Sequence, residues 1–359
     1  MNSAFVARTL AVLVAAAAAC PANWALADYA EPLDTPATPS AMAASTQLLD
    51  IARAGNRLVA VGWRGHIIYS DDNGHSWTQA STPVDIDLTA VSFPSPEKGW
   101  AVGHGGVILN SVDGGLTWKK QMDGRSAGEM MLGYYEARVK NGDESAQKYV
   151  DDVKLNTEGG PEQPWLDVLF EDELHGYVIG TFNQLMHTSD GGKTWIPQLD
   201  LVDNPEAFHL NAISRSGGAY YIASERGTLF VKPEGSERFH AVSTGYGGSF
   251  FGILAKGNAL LAFGLRGTLY SSNDRGATWS NIDSGLDTAI TGGAILNNGE
   301  ILAVSQGGQL LGANSNAGPF QALKVSRTAM FTGVIQAQKD QVVVIGTAGA
   351  NVESVSDIR

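Results

Sequence analysis

Ser70-Asp71-Asp72-Asn73-Gly74-His75-Ser76-Trp77 decides how this chain folds, because the stretch returns three more times. Ser111 to Trp118, Thr188 to Trp195 and Ser272 to Trp279 repeat its pattern, S-x-D-x-G-x-[ST]-W with Thr allowed for the first Ser. Asp72, Asp113, Asp190 and Asp274 keep register with Trp77, Trp118, Trp195 and Trp279. This is the Asp box. Its Asp and Ser can bond exposed amides in a tight turn, its Gly permits positive φ, and its Trp packs between neighbouring sheets. Turn chemistry explains each letter, so the boxes read as structural.

A second column runs upstream of each box, where an aliphatic run ends in a small residue and a turn. It stands at Gly62, Gly103, Gly180, Ser224, Gly264, Ser305 and Gly346, at intervals of 41, 77, 44, 40, 41 and 41 residues. Six intervals mean seven units, and the one long interval marks an insertion of about one repeat's length. Two units have lost the box, with Phe239 and Phe320 standing in the place of Trp. Each unit holds four short strands, and a period near 41 residues of that kind is a propeller blade. The fold expected is all-β: a seven-bladed β-propeller of four-stranded antiparallel blades. The seventh unit stops after a third strand near Asn351 to Val355. Residues 29–38 are expected to supply the missing outer strand and close the ring.

Between Gln121 and Pro164 the period disappears. Few residues there are β-branched, and Met130, Met131, Tyr134, Tyr135, Val139, Tyr149 and Val153 fall at helical spacings. Two short helices are expected over about residues 124–160, broken near Asn141-Gly142. The segment is either a lid on its own propeller or a contact surface, with Met130, Met131, Tyr134 and Tyr135 as candidate partner contacts. It connects the second blade to the third, and such connections share a face with the turns between second and third strands. Three of those turns carry Arg at one equivalent position, Arg64, Arg226 and Arg266, where other blades place Gly105, Phe182, Gly307 and Ala348. An arginine fork suits carboxylates and phosphates.

Residues 1–27 read as a secretory signal peptide: Arg8, an apolar run from Leu10 to Ala19, and Ala25 and Ala27 bracketing a cleavage site. Lipidation at Cys20 is the lesser alternative. A periplasmic or secreted domain spanning 28–359 follows, without cysteine, and no second apolar segment approaches membrane-spanning length. Loss of Arg8 takes the formal charge from −13 to −14, which disfavours nucleic acid and anionic membrane as partners. The seven His are scattered without ligand spacing, so no metal and no cofactor are expected, and the chain is expected to be monomeric.

With the G-x-R-G turns at Arg64 and Arg266, the matching S-x-R-G turn at Arg226, the four boxes and the seven-fold count, the chain resembles the photosystem II stability/assembly factor family over about residues 44–359. Bacterial BNR-repeat relatives share the pattern. The resemblance implies a non-enzymatic scaffold that holds a protein client on an arginine-bearing face, the carry-over reaching only Arg64, Arg226 and Arg266. The sequence departs from the pattern at Gly105 and Gly307, and it carries the insertion. The client expected is an envelope protein engaged through an acidic segment. The alternative is a glycoside hydrolase or glycan-binding Asp-box propeller, for which Asp50, Asp167 and Glu171 could face the central funnel. No R-I-P segment, G-x-S-x-G or phosphate loop supports an enzyme.

Overall fold

The computed structural model describes residues 30–355. The expected signal peptide, with Arg8 and Cys20, therefore lies outside the described residues, as do Tyr29 and residues 356–359.

Short aliphatic strands separated by tight turns can bury both faces only if their sheets stack, and here they stack as a ring. Seven antiparallel sheets follow in chain order, with inner strands Leu48–Ala54, Leu88–Ser92, Trp165–Phe170, Ala212–Ser216, Phe250–Lys256, Ile290–Ile295 and Phe331–Gln338. They are blades 1 to 7. Second strands such as Gly99–Gly103 and Ala219–Ala223 are buried at every residue, because a sheet lies against each of their faces. The small residue ending each aliphatic run has a steric cause at Gly62 and Gly103. A Cβ there would stand 2.2 Å from the carbonyl oxygen of Gln47 or Asp87, respectively.

The boxes are turns. In the first, the Ser70 hydroxyl accepts the Gly74 N–H at 2.8 Å, and the Asp72 carboxylate accepts the N–H and hydroxyl of Ser76 at 2.8 and 2.6 Å. The Trp77 indole donates to the Gly74 carbonyl at 3.0 Å, and its ring packs with Val352 and Val343 of blade 7. Asp113, Asp190 and Asp274 make the same bonds with Thr117, Thr194 and Thr278. The Trp118 and Trp279 indoles also repeat the Trp77 bond, whereas the buried Trp195 nitrogen has no hydrogen-bond partner among the described residues. Phe239 is fully buried in the place of Trp. Blade 6 replaces its box with Asn316, which donates to the Leu260 and Ser272 carbonyls of blade 5 at 3.2 and 3.0 Å.

Ring closure departs from the sequence-based expectation. Among the described residues the last blade has three strands, and residues 30–38 do not pair with it. That segment instead lies over blades 1 and 2. The Ala37 N–H donates to Thr82 O at 3.1 Å, the Asp85 N–H to Pro32 O at 2.9 Å, and Leu33 is buried with Val61, Ile67 and Val107. A strand was expected because an edge needed cover; the Pro32 and Leu33 region forms a 3-10 turn instead. Side chains make the junction between blades 7 and 1. The Thr332 hydroxyl donates to Leu48 O at 2.8 Å, Arg53 donates to the Gln336 carbonyl, and Ala43 is buried with Val343 and Ile345.

The insertion folds as helix α1, Gly124–Lys140, and helix α2, Gln147–Thr157. The break falls at Asn141-Gly142, where Gly142 takes φ +94°. Asp123 caps α1 through a capping box with Ser126. No helix among the described residues is long and apolar enough to cross a membrane.

Candidate functional site

Three consecutive elements build each arginine turn: a buried second strand, a left-handed residue, and a glycine clamped to the next inter-blade connection. Arg64, Arg226 and Arg266 have φ of 54°, 50° and 55°, and the glycines after them φ of 70°, 67° and 68°. Gly65 donates its N–H to Ile86 O at 2.8 Å and Gly227 to Gly248 O at 2.7 Å. A Cβ at Gly65 would meet the Val84 carbonyl oxygen at 1.9 Å, so the final glycine of G-x-R-G is a close-approach residue. The clamp holds the preceding residue at the tip. A non-glycine in this region carries strain of order 1–3 kcal/mol, a hint of use rather than of stability.

The three arginines share one face with the insertion, since Gly124 at the head of α1 packs on Gly106 of the corresponding turn in blade 2. They do not form one cluster. Blades 4 and 5 are neighbours, whereas blade 1 stands three blades from either around the ring. Arg64 is also neutralised: its guanidinium pairs with Asp85 at 3.0 and 3.1 Å, and its N–H donates to Asp87 at 2.9 Å. Among the described residues, no carboxylate lies within ion-pair distance of Arg226 or Arg266. Arg226, exposed, lies 5.5 Å over the half-buried Phe208 ring.

Large apolar side chains stand exposed in the same turns, and the sequence reading gave none of them a role, although it placed Phe182 at the arginine position. Trp63 is 47% exposed, Leu265 39% and Phe182 39%, the last at φ 51° in the position that Arg holds elsewhere. A turn tip is ordinarily polar, so an aromatic or leucine there was the signal available. They stand singly, on blades 1, 3 and 5, rather than as one patch.

The insertion contacts expected from sequence are mostly not available. Met131 and Tyr135 are buried at 3% and 0% exposure, and Met130 is partly buried against the same cluster. Only Tyr134 reaches the surface appreciably. Helical periodicity marks the face that is packed, and here it packs on blades 2 and 3 with Trp100, Trp165 and Met186. The Tyr135 hydroxyl donates to Asp200 at 2.9 Å and accepts the Leu199 N–H at 2.9 Å. Arg138 joins Asp200 at 2.7 Å to Asp143 at 2.6 Å.

The funnel carboxylates belong to the scaffold. A cavity of about 260 Å³ opens along the ring axis, lined by Asp50, Asp167, Asn211, Phe251, Thr291 and Thr332 among others. Asp50 accepts the N–H groups of Ile51 and, across the blade interface, Val91, both at 2.8 Å. Asp167 does the same with Val168 and Ile213, both at 2.7 Å. Thr89, Asn211, Thr291 and Thr332 each donate to the leading carbonyl of the next inner strand. The fifth blade has Phe251 and Gly252 at these positions, and a Cβ on Gly252 would meet the Phe263 ring at 2.1 Å. Desolvation raises the Asp50 carboxyl to about 6, and desolvation with the nearby Asp50 charge raises Asp167 to about 7. Glu171 lies elsewhere, paired with Arg215 at 2.9 Å. The arrangement supplies inter-blade latches rather than an acid and base facing a scissile bond.

The sequence model of a family described as "Photosynthesis system II assembly factor YCF48" matches residues 142–317. The photosystem II assembly lipoprotein Ycf48 of Synechococcus sp. (strain CC9902) is 32% identical over 154 residues, 42% of this chain and 44% of that protein. The chloroplastic photosystem II stability/assembly factor HCF136 of Guillardia theta is 42% identical over 52 residues, 14% of this chain and 13% of that protein. The chain thus spans less than half the length of these curated relatives in alignment. Among solved structures, one described as YCF48 bound to D1 peptide superposes with a TM-score of 0.63 at 18% identity, covering 88% of this chain and 95% of that one. At that identity the likeness establishes the fold. A WD40 propeller domain of Doa1 superposes almost as well, with a TM-score of 0.62 at 10% identity over 91% of this chain and 97% of that one.

Proposed function

We propose that this chain, a propeller of the photosystem II assembly factor-like family, is a non-enzymatic assembly scaffold that binds a protein client on its arginine-bearing face. The observation that carries the reading is the pair Arg226 and Arg266: exposed cations on adjacent blades, without a carboxylate in ion-pair distance among the described residues, in turns fixed by clamped glycines. Exposed Leu265 and Phe182 beside them provide apolar contact. Such a face suits an extended acidic segment, with the guanidinium forks taking carboxylates and the apolar tips excluding water. A relative's structure with a bound D1 peptide supports a polypeptide as the class of ligand. Arg64, already paired with Asp85, plays a smaller part.

The setting proposed is the periplasm or the exterior, as a monomer, which agrees with relatives named as lipoproteins and with the leader expected over residues 1–27. The test uses the chain from residue 28 and a labelled acidic peptide, with an alanine-substituted peptide as control. Arg226→Glu with Arg266→Glu is expected to abolish the preference for the acidic peptide at unchanged melting temperature. Binding should also weaken with salt, because exposed charges are screened over about 8 Å at physiological ionic strength. Equal binding of both peptides to the parent chain would overturn the reading.

A further inference from the structure

We infer that the same face carries a second, oppositely charged docking groove, between α2 and the Phe182 turn of blade 3, which takes a large apolar side chain flanked by lysine or arginine. The inference rests on the reading that this face binds a polypeptide client. A groove of about 310 Å³ lies there, lined by Asp152, Leu155, Asn156, Gln163, Phe182 and Ala207. Its apolar lining is unusually open to solvent, with Leu155 at 72% exposure and Phe182 at 39%. Neither position follows from folding alone. Leu155 lies on the outer side of a helix whose inner side, Val150 and Val153, is already buried. Phe182 and Ala207 both hold left-handed φ of 51°, where their side chains carry strain.

The occupant's charge follows from the rim. Glu162 and Glu206 adjoin the lining residues Gln163 and Ala207, and Glu158 follows Leu155 at the end of α2; all three are exposed. Among the described residues none of the three has a basic partner within ion-pair distance. Three basic residues of the insertion are already engaged: Lys148 with Asp152 at 2.5 Å, Lys154 with Glu136 at 3.1 Å, and Arg138 with Asp143 and Asp200. The unpaired carboxylates beside the groove are thus negative, while Arg226 and Arg266 carry positive charge on the turns of blades 4 and 5, the adjacent Glu225 being bonded to His209 at 2.9 Å. A client segment crossing the face from blade 5 to α2 would be acidic at one end and basic with an apolar anchor at the other.

The probe is a labelled ten-residue peptide with a central Leu-Phe pair flanked by lysines, titrated against the chain from residue 28 by fluorescence anisotropy. Its counterparts carry Glu for Lys, or Ala-Ala for Leu-Phe. The lysine peptide is expected to bind best, and Leu155→Asp or the triple change Glu158→Lys, Glu162→Lys and Glu206→Lys to weaken it by about tenfold or more. Arg226→Glu with Arg266→Glu should not weaken it. These groove residues are exposed, so melting temperatures should stay near that of the parent and separate lost binding from lost folding. Binding indifferent to Leu155→Asp, or equal for the Ala-Ala peptide, overturns the groove. So does sedimentation showing a dimer of this chain that Leu155→Asp dissociates. Failure of the acidic peptide on the parent chain removes the arginine-face reading alone, because the lysine peptide is scored separately.

Discussion

Asp167, on the inner strand of blade 3, accepts the backbone N–H of Ile213, on the inner strand of blade 4, at 2.7 Å. One carboxylate thus joins two sheets that share no strand pairing. Its other oxygen takes the Val168 N–H, so both are occupied by backbone. The cost of burying the charge appears in its proton affinity, raised to about 7 by desolvation and by Asp50.

The pH dependence has a defined sign. A carboxyl whose folded value is raised binds its proton more tightly folded than unfolded, so its favourable contribution is complete below about 4 and is lost as pH rises through about 7. Asp167→Asn cannot ionise, and it keeps only one acceptor oxygen for two amides. The variant should melt lower at pH 5, where an orphaned amide costs about 1–3 kcal/mol. Its melting temperature should then fall less than that of the parent between pH 5 and pH 8. Parallel profiles would remove Asp167 as a titrating latch.

Asp113 represents the opposite case. Burial pushes its carboxyl up, but bonds from Thr117 and Ser111 outweigh that and hold it below the ordinary value. Its contribution is present above about 4 and lost at lower pH. Asp113→Ala should lower stability by about 0.5–1.5 kcal/mol through the lost bonds to Thr117, and leave peptide binding per folded molecule unchanged. Loss of binding without loss of stability would make the box a site.

The repeat was legible because turns and close approaches leave letters in the sequence: Asp and Gly in the boxes, and Gly at Gly62 and Gly103 where a carbonyl leaves no room. What was not legible is what lies between repeats. No periodicity says that Asp50 and Asp167 reach backbone on the next blade, since that partner is about 40 residues away in sequence. The closing segment was misplaced for a related reason. An open edge suggests a strand, but the packing of Leu33 against blades 1 and 2 depends on shape. Helical spacing found Met131 and Tyr135 but left open whether they pack on the propeller or meet a partner; in the structure they are buried, and the spacing marks the packed face.

Thr332 tests how the ring is held shut. Its hydroxyl donates to the Leu48 carbonyl at 2.8 Å between the last blade and the first. Thr332→Val keeps shape and removes that bond, and should lower stability by about 1 kcal/mol. Because the junction also contains Arg53 and Ala43, the propeller should remain folded. An unchanged melting temperature would mean that the latch contributes nothing.

Tyr135 tests the docking of the insertion. Its buried hydroxyl bridges Asp200 and the Leu199 N–H, both at 2.9 Å. Tyr135→Phe leaves the amide unpartnered and should lower stability by about 1–3 kcal/mol. If α1 swings freely on the propeller, the change will have no effect on melting, and protease sensitivity near Asn141 will be the same in both proteins.

Arg64 and Arg266 occupy equivalent turns at nearly equal φ, 54° and 55°, and yet should respond differently to loss of charge. The backbone strain is the same for Arg and for Gln at these positions, so it cancels between each parent and its variant. Arg64 is held by two guanidinium bonds to Asp85, and removing its charge breaks that ion pair, while the backbone N–H bond to Asp87 stays. Arg64→Gln should therefore lower the melting temperature slightly and change acidic-peptide binding little. Arg266 has no carboxylate within ion-pair distance among the described residues, so Arg266→Gln has no internal pair to break. Its melting temperature should stay unchanged while acidic-peptide affinity falls by about threefold to tenfold, in the range of a partly exposed charge contact. The affinity loss should shrink as salt is raised, because the contact removed is the one that salt screens. If Arg64→Gln weakens the peptide as much as Arg266→Gln does, the Asp85 pair opens on binding, and the client must span the ring from blade 1 to blade 5.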